Sequence, residues 1–187
     1  MNVVEKAIQF AAEAYDGKNR PGTRTPFIVS VMERVVMMSY VNPIDTDMMA
    51  AAALLRLTQN TDVTFEQIEA EFGTRIKNIL LDAQVADYSD FDDTVSEESL
   101  EKEAEGVKRL PLKVKMLILA EKLAAIKTLQ RDYSEYRESL WDRLPCKNPK
   151  ALAVFYYQLI DTFHEFQEYE AFADFNRGTA QLFVAFR

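Results

Sequence analysis

Residues that break helices are scarce in this chain, and this scarcity constrains its fold more than any other feature. Five glycines and six prolines punctuate 187 residues, and the apolar positions between them recur at helical spacing. The first such segment, residues 4–15, places its apolar side chains on one face and is expected to end at Gly17. We therefore predict an all-α fold, and the length fits one domain with a sizeable core.

Local signals predict where the remaining helices begin and end. Asn42-Pro43 should end a helix, and Thr64 with Gln67 forms a capping-box pattern that should begin another. Ser134 is expected to cap a short helix that contains Trp141. We expect helices at residues 27–40, from Asp45 or Thr46 through the alanine-rich run, from Thr64 to Gly73, and at residues 75–86, 112–129 and 149–170.

Two segments have unusual compositions. Residues 87–105 contain nine carboxylates against one lysine, Lys102, which is typical of a solvated loop followed by an exposed helix. An anion-repelling lid or a cation site is the alternative, but no spacing of the calcium-loop kind supports it. Residues 149–170 are rich in aromatics at helical spacing, which favours a core-facing helix.

Charge and cysteine content exclude several classes of function. The net charge is −8, and an acidic surface repels phosphate backbones, so we expect no nucleic-acid partner. No apolar stretch approaches the length of a transmembrane helix, and the N-terminus does not resemble a signal peptide. The single cysteine, Cys146, suits a reducing compartment. We therefore expect a cytoplasmic protein without a membrane partner.

A charged residue interrupts the most apolar stretch of the chain. Residues 50–55 are all alanine or leucine, and Arg56 follows them directly, with Gln59 and Asn60 close behind. A charge in such a run needs either a cavity or a buried acidic partner, because an unpaired buried charge is costly. Arg56 is therefore the first residue at which we expect a functional site.

Several pieces of the sequence occur in a characteristic order. They are Gly17, Arg20, Gly22 and Thr23, then Pro26, Phe27 and Ile28, then residues 53–55, 61–73 and 119–123. Together they resemble the HD-domain hydrolases, most closely the (p)ppGpp 3′-pyrophosphohydrolase domain of RelA/SpoT-type proteins. The resemblance covers roughly residues 3–130 and implies a single HD-type helical bundle over residues 1–187. Within it, residues 1–130 would form the core and residues 131–187 a C-terminal helical extension.

The resemblance also implies a divalent metal such as Mn²⁺, but this sequence lacks the ligands. Family histidines are replaced by Tyr15 and Ser30, and the histidine-aspartate pair by Arg56 and Leu57. Gln59 and Asn60 replace a glutamate-aspartate pair that would position and activate water, and Glu121 and Ala125 replace the later aspartate and asparagine. The one histidine, His164, lies far outside the motif. We expect no metal cofactor and no catalytic residues.

The favoured interpretation is a pseudoenzyme that binds a nucleotide, another phosphorylated small molecule or a protein partner. Candidate ligand-binding residues are Tyr15, Arg20, Ser30, Arg56, Gln59, Asn60, Glu121 and Lys122. Plain decay of the site is an alternative. An active metal-dependent phosphohydrolase with non-standard ligands, or an interaction protein that uses the aromatic helix as its surface, also stays open. If Arg56 faces the former metal position, we expect it to form a salt bridge with Glu121.

Overall fold

The computed structural model describes residues 1–186, and their regular secondary structure is helical apart from an isolated bridge between Asn19 and Pro26. The α-helices are α1 (Val3–Ala14), α2 (Ile28–Val41), α3 (Thr46–Leu54), α4 (Leu57–Asn60), α5 (Phe65–Asp82), α6 (Glu97–Lys108), α7 (Leu112–Tyr136), α8 (Pro149–Thr162) and α9 (Glu170–Leu182). Short 3-10 helices span Arg137–Arg143, Phe163–Phe166 and Val184–Phe186. The all-α prediction is confirmed.

Side chains cap the helices where the sequence predicts it. The Asp45 carboxylate accepts a hydrogen bond from the Met48 amide and begins α3. Thr64 and Gln67 form the predicted capping box at the start of α5. Gly73 adopts a φ of 85° and interrupts the helical backbone inside α5, which corresponds to the predicted division at this residue.

The alanine-rich helix ends earlier than its composition suggests. Arg56 adopts a left-handed conformation with a φ of 64°, so the apolar run is divided between α3 and the short helix α4. α3 lies at the centre of the fold, and residues 50–53 are buried alanines. Small side chains allow α1 and α2 to pack closely against it. The interruption places Arg56 at the centre of the molecule.

Two predictions for the C-terminal third are wrong in their boundaries. Ser134 does not cap a new helix, because α7 continues to Tyr136 before the chain tightens into a 3-10 helix. The predicted helix over residues 149–170 divides at Phe163, whose turn leads into a separate α9. The division lets Phe163 and Phe175 meet edge to face with ring centroids 5.6 Å apart.

The predicted aromatic core is largely confirmed. Phe155, Tyr156, Phe163 and Phe166 are buried, whereas Tyr169 is exposed. Most aromatic side chains of this segment therefore belong to the core, and the alternative of an interaction protein stays a prediction. Among the nine carboxylates of residues 87–105, seven are exposed as predicted, but Asp90 is partly buried and Glu103 fully buried. Within residues 1–186, no helix combines the length and apolarity needed to cross a membrane.

α7 packs against several other helices. It packs against α2 on one side and α9 on another. At the second contact Gly178 approaches Ile126 so closely that an added Cβ would lie 2.6 Å from Ile126 Cγ2. α9 therefore fixes the position of α7, which carries Glu121, Lys122 and Ala125.

We expect Gly178→Ala to lower the free energy of unfolding by about 1–3 kcal/mol, because the overpacked methyl outweighs the gain in helix propensity. Denaturant unfolding measures the change. Combining it with Ile126→Ala should cost less than the sum of the two single changes, since one methyl fills the space that the other leaves. Asn176→Ala, on the exposed face of α9, serves as the control. Full additivity would contradict the packing described here.

Candidate functional site

Arg56 is buried and bound on three sides. Only 8% of the residue is exposed. Its Nε is 3.2 Å from Asp90 Oδ1. Its Nη2 donates to the Tyr88 carbonyl oxygen at 2.7 Å, and its guanidinium stacks over the Tyr88 ring at 4.8 Å. The structure thus places a charged partner beside this arginine, as its apolar neighbourhood requires.

That partner is not the predicted one. Glu121 Oε2 lies 3.2 Å from Lys122 Nζ, and no ion pair joins Glu121 to Arg56 within residues 1–186. The prediction of an Arg56–Glu121 salt bridge is therefore wrong, because the loop that follows α5 brings Asp90 to the guanidinium instead. Burial alone would lower the pKa of Arg56, but Asp90 and then Glu121 outweigh it and raise that pKa.

The side-chain amide of Asn60 binds the loop that contains Ser89 and Asp90 through both its oxygen and its nitrogen. Its Oδ1 accepts hydrogen bonds from the Ser89 hydroxyl and the Asp90 backbone amide, each at 2.9 Å. Its Nδ2 donates to Asp90 Oδ2 at 2.7 Å and to the Tyr15 hydroxyl at 3.1 Å. An aspartate could not make the bond to the Asp90 carboxylate, because a carboxylate has no hydrogen to donate, whereas the Tyr15 hydroxyl could donate to either group. The amide is thus matched to the acidic loop.

Residues 86–91, which we call the clamped loop, are also contacted by Gln59, Tyr15, Phe27 and Lys18. Gln59 Nε2 donates to the Ala86 carbonyl at 2.7 Å. Phe91 packs near Phe27 and Tyr15, with ring centroids 4.8 Å and 6.4 Å away, and Lys18 Nζ lies 4.8 Å from the centre of its ring. Side chains at positions where the family would hold metal and water therefore hold a loop of the chain itself.

A second group of buried charges lies behind Arg56. Lys122 Nζ is 2.7 Å from Glu103 Oε1, and both side chains are almost fully buried. The Tyr88 hydroxyl donates to the other oxygen of Glu103. Burial would raise the pKa of Glu103, but Lys122 and Arg56 outweigh that effect and lower it. Burial and the adjacent Glu103 carboxylate together raise the pKa of Tyr88, so this phenol stays protonated and remains a donor.

A cavity of about 270 Å³ lies between α2, α7, α8 and the clamped loop. Its polar wall includes Ser30, Arg34, Arg56 and Glu121. Its apolar wall is formed by Val95, Leu100, Ala124, Leu129, Leu144 and Leu152, with Tyr156 and Cys146 beside them. Burial raises the pKa of Tyr156 to about 12 and also raises the pKa of the Cys146 thiol.

The cavity wall carries equal numbers of basic and acidic side chains. The basic ones are Arg20, Arg34, Arg56 and Lys122, and the acidic ones are Glu33, Asp90, Glu121 and Asp132. Every carboxylate has a basic partner: Glu33 pairs with Arg131, Asp90 with Arg56, Glu121 with Lys122 and Asp132 with Arg20. Arg34 has no carboxylate within ion-pair distance among the described residues.

The predicted candidates therefore divide into two sets. Arg20, Ser30, Arg56, Glu121 and Lys122 line the cavity, which brings them together as expected. The remaining three, Tyr15, Gln59 and Asn60, lie behind the clamped loop and do not line the cavity. Burial raises the pKa of the Tyr15 hydroxyl, against the opposing effects of the Arg34 guanidinium and the Asn60 amide. His164 is exposed on a 3-10 turn and takes no part.

Arg34 is the residue that the sequence analysis missed. It is 5% exposed and lies on the buried stripe of α2 with Val31, Val35 and Met38. The argument that singled out Arg56 applies equally here, because a charge stands at an apolar position of a helical repeat. Asp90 had no such signal, since it is one of nine acidic residues in its segment.

The donor set at this site does not fit a divalent metal ion. Glu121 is the only carboxylate at a family ligand position, and it is paired with the Lys122 ammonium. Asp90 is paired with Arg56. In the described part of the chain, no group of three or more histidine, cysteine, aspartate or glutamate side chains is arranged to hold a metal. A cation here would have to displace two buried basic side chains from their partners.

Comparison with known proteins identifies the family and the fold. A family model described as an HD domain matches residues 7–145. The chain belongs to the HD-domain family. The structure also superimposes, with a TM-score of 0.69 and 18% identity, on a metazoan ortholog of SpoT that hydrolyzes ppGpp and plays a role in starvation responses. That match covers 99% of this chain and 96% of the other, so the HD fold extends through the C-terminal helices.

The chain is also similar to three other proteins. Over 131 residues the chain is 29% identical to guanosine-3′,5′-bis(diphosphate) 3′-pyrophosphohydrolase MESH1 of Xenopus tropicalis, covering 69% of this HD-domain chain and 70% of that one. It is 36% identical over 81 residues to RSH1, a candidate chloroplastic GTP diphosphokinase of Oryza sativa subsp. japonica; the match covers 43% of this chain but only 9% of the rice protein. The lmo0812 protein of Listeria monocytogenes EGD-e has the same fold, with a TM-score of 0.69, 17% identity and coverage of 83% and 99%.

Introducing a carboxylate at position 60 should destabilise this HD-domain protein. Asn60→Asp places an oxygen where Nδ2 now lies 2.7 Å from Asp90 Oδ2, so we expect a loss of about 2 kcal/mol in the free energy of unfolding. Asp90→Asn alone should also destabilise the protein, because it removes the carboxylate paired with Arg56. The double variant Asn60→Asp with Asp90→Asn again has one donor between the two side chains, so its loss should be smaller than the sum of the two single losses. Urea denaturation of the four proteins measures these losses, and full additivity would contradict the assigned contact.

Stability should fall in acid, with a contribution from Asp90. Burial tends to raise the pKa of Asp90, but Arg56 and Arg34 outweigh it and hold that pKa below its ordinary value of 3.8. A lowered pKa stabilises the fold above the unfolded value, and this contribution is lost as pH falls through the folded value. Asp90→Asn should flatten the dependence of unfolding free energy on pH below about pH 5. Asp93→Asn, an exposed change nearby, should keep the wild-type slope.

Proposed function

We propose that this HD-domain protein is a non-catalytic relative of the (p)ppGpp hydrolases that binds a small anionic ligand in the cavity between α2 and α7. The observation that supports this most directly is the combination of a cavity with a buried Arg34 on its wall that has no carboxylate within ion-pair distance among the described residues. A buried guanidinium beside an open space is costly unless a negative partner binds it, and an apolar side chain there would cost less.

The same residues argue against hydrolysis. Metal-dependent phosphate hydrolysis needs an ion that lowers the pKa of bound water to about 7, and the side chains at this site repel or fail to ligate such an ion. The amides of Gln59 and Asn60 are occupied by the clamped loop and neither can accept a proton from water. We therefore propose that the protein needs no metal cofactor. A protein partner and a cytoplasmic location stay expectations from the sequence.

We expect no release of pyrophosphate when the purified protein is incubated with guanosine 3′,5′-bis(diphosphate) and Mn²⁺, because no side chain is arranged to bind the ion or activate water. Chromatography of the nucleotide products measures turnover. The MESH1 protein of Xenopus tropicalis, named for this reaction, is the positive control, and heat-treated protein is the blank. Turnover above the blank that disappears in Glu121→Ala would establish an active phosphohydrolase with unusual ligands and overturn the proposal.

Isothermal titration calorimetry with Mn²⁺ tests metal binding independently of hydrolysis. We expect no saturable binding with wild-type protein at micromolar concentrations, since Lys122 and Arg56 occupy the two carboxylates nearest the former metal position.

A further inference from the structure

We propose that the ligand of this cavity is a small monocarboxylic acid with an apolar body, and that Arg34 binds its carboxylate. This proposal rests on the proposed function and specifies the ligand class for the same site. It follows from three properties of the cavity: the edge of the Arg34 guanidinium that is left free, the absence of a carboxylate within ion-pair distance of it among the described residues, and the apolar side chains of the remaining lining.

Arg34 offers one free edge of its guanidinium. Its Nη1 donates to the Leu55 carbonyl at 2.9 Å and so holds the end of α3. Its Nε and Nη2 have no hydrogen-bond partner among the described residues, although the side chain is almost completely buried and lines the cavity. Nε and Nη2 lie on the same side of the planar group, where their two hydrogens match the two oxygens of a carboxylate.

Arg34 is the one basic side chain on the wall with no carboxylate within ion-pair distance among the described residues. The four carboxylates that line the cavity are each paired with a basic side chain, and Lys122 is shared between Glu121 and the buried Glu103. A monoanion would therefore give Arg34 a direct partner. A phosphoryl group brings between one and two charges and a guanosine tetraphosphate several more, and these additional charges would meet Glu33, Glu121 and Asp132 without further basic side chains to neutralise them.

The rest of the cavity is suited to an apolar group. Aliphatic side chains of the loop after α5, of α6, of α7 and of α8 also line the cavity, among them Val95, Leu100, Leu129 and Leu152. The Tyr156 ring adds an aromatic face. Removing an apolar body from water against these residues supplies the driving force, and the carboxylate fixes its orientation. A cavity of about 270 Å³ limits the ligand to a small acid.

The test uses isothermal titration calorimetry of the full chain with four pairs of probes. Phenylacetate, 4-phenylbutyrate, hexanoate and octanoate each carry one carboxylate on an apolar body, and their neutral amides have the same shape without the charge. We expect at least one acid to bind saturably and its amide to bind about tenfold more weakly or not at all. Phenyl phosphate and guanosine 3′,5′-bis(diphosphate) are titrated in parallel.

Two variants and a matched control assign the site. Arg34→Met should abolish acid binding, while Arg75→Met makes the same change at an exposed arginine of α5 and should leave it unchanged. Because Arg34→Met also removes the bond to Leu55, a second variant avoids that contact. Ala125→Leu fills the cavity from α7 and should abolish binding with Arg34 intact. Circular dichroism confirms that each variant is folded.

The outcomes separate this inference from the proposed function. Equal binding of acids and amides, or acid binding that survives both Arg34→Met and Ala125→Leu, overturns the role of Arg34. Tighter binding of phenyl phosphate or the guanosine nucleotide, lost in Arg34→Met, overturns the ligand class but supports an anion-binding protein. If none of the acids, phenyl phosphate or the nucleotide binds at millimolar concentration, both the inference and the proposed function fail.

Discussion

The fold of this HD-domain protein depends on how it accommodates the charge of Arg56 at its centre. The guanidinium follows a run of buried alanine and leucine residues, so water cannot solvate it. Arg56 itself adopts a left-handed conformation between α3 and α4. The loop after α5 brings Asp90 to its guanidinium. Contacts with Asp90 and the Tyr88 carbonyl offset the desolvation free energy of the buried guanidinium. Residues 86–91 follow the path that makes these contacts.

The clamped loop changes what the family scaffold can do. Gln59, Asn60 and Tyr15 point at backbone and side chains of the same molecule, so they are no longer available to a substrate. The space between α2 and α7 nevertheless remains open, because Lys122 and Glu103 bridge α7 to α6 and Arg34 ties α2 to the end of α3. Buried ion pairs and hydrogen bonds thus fix the positions of the elements that line the cavity.

Much of the fold could be predicted from local signals, but the site could be predicted only in part. Asp45 and Thr64 act as caps through contacts with residues three positions away, so sequence alone reveals them. The need of Arg56 for a buried acidic partner could also be predicted. The partner of Arg56 could not, because Asp90 resembles its acidic neighbours and its role depends on a loop path set by tertiary contacts. The end of α8 at Phe163 likewise depends on packing against Phe175, which no local pattern encodes.

The single cysteine gives this protein a built-in reporter. Cys146 lies on the wall of the cavity, is 5% exposed, and has a thiol whose pKa is raised by burial, so the reactive thiolate is scarce at neutral pH. With no other cysteine in the chain, any thiol-specific alkylating reagent that reacts does so at this one position. The rate of alkylation therefore measures how often the cavity wall opens to solvent, without the need for an engineered label.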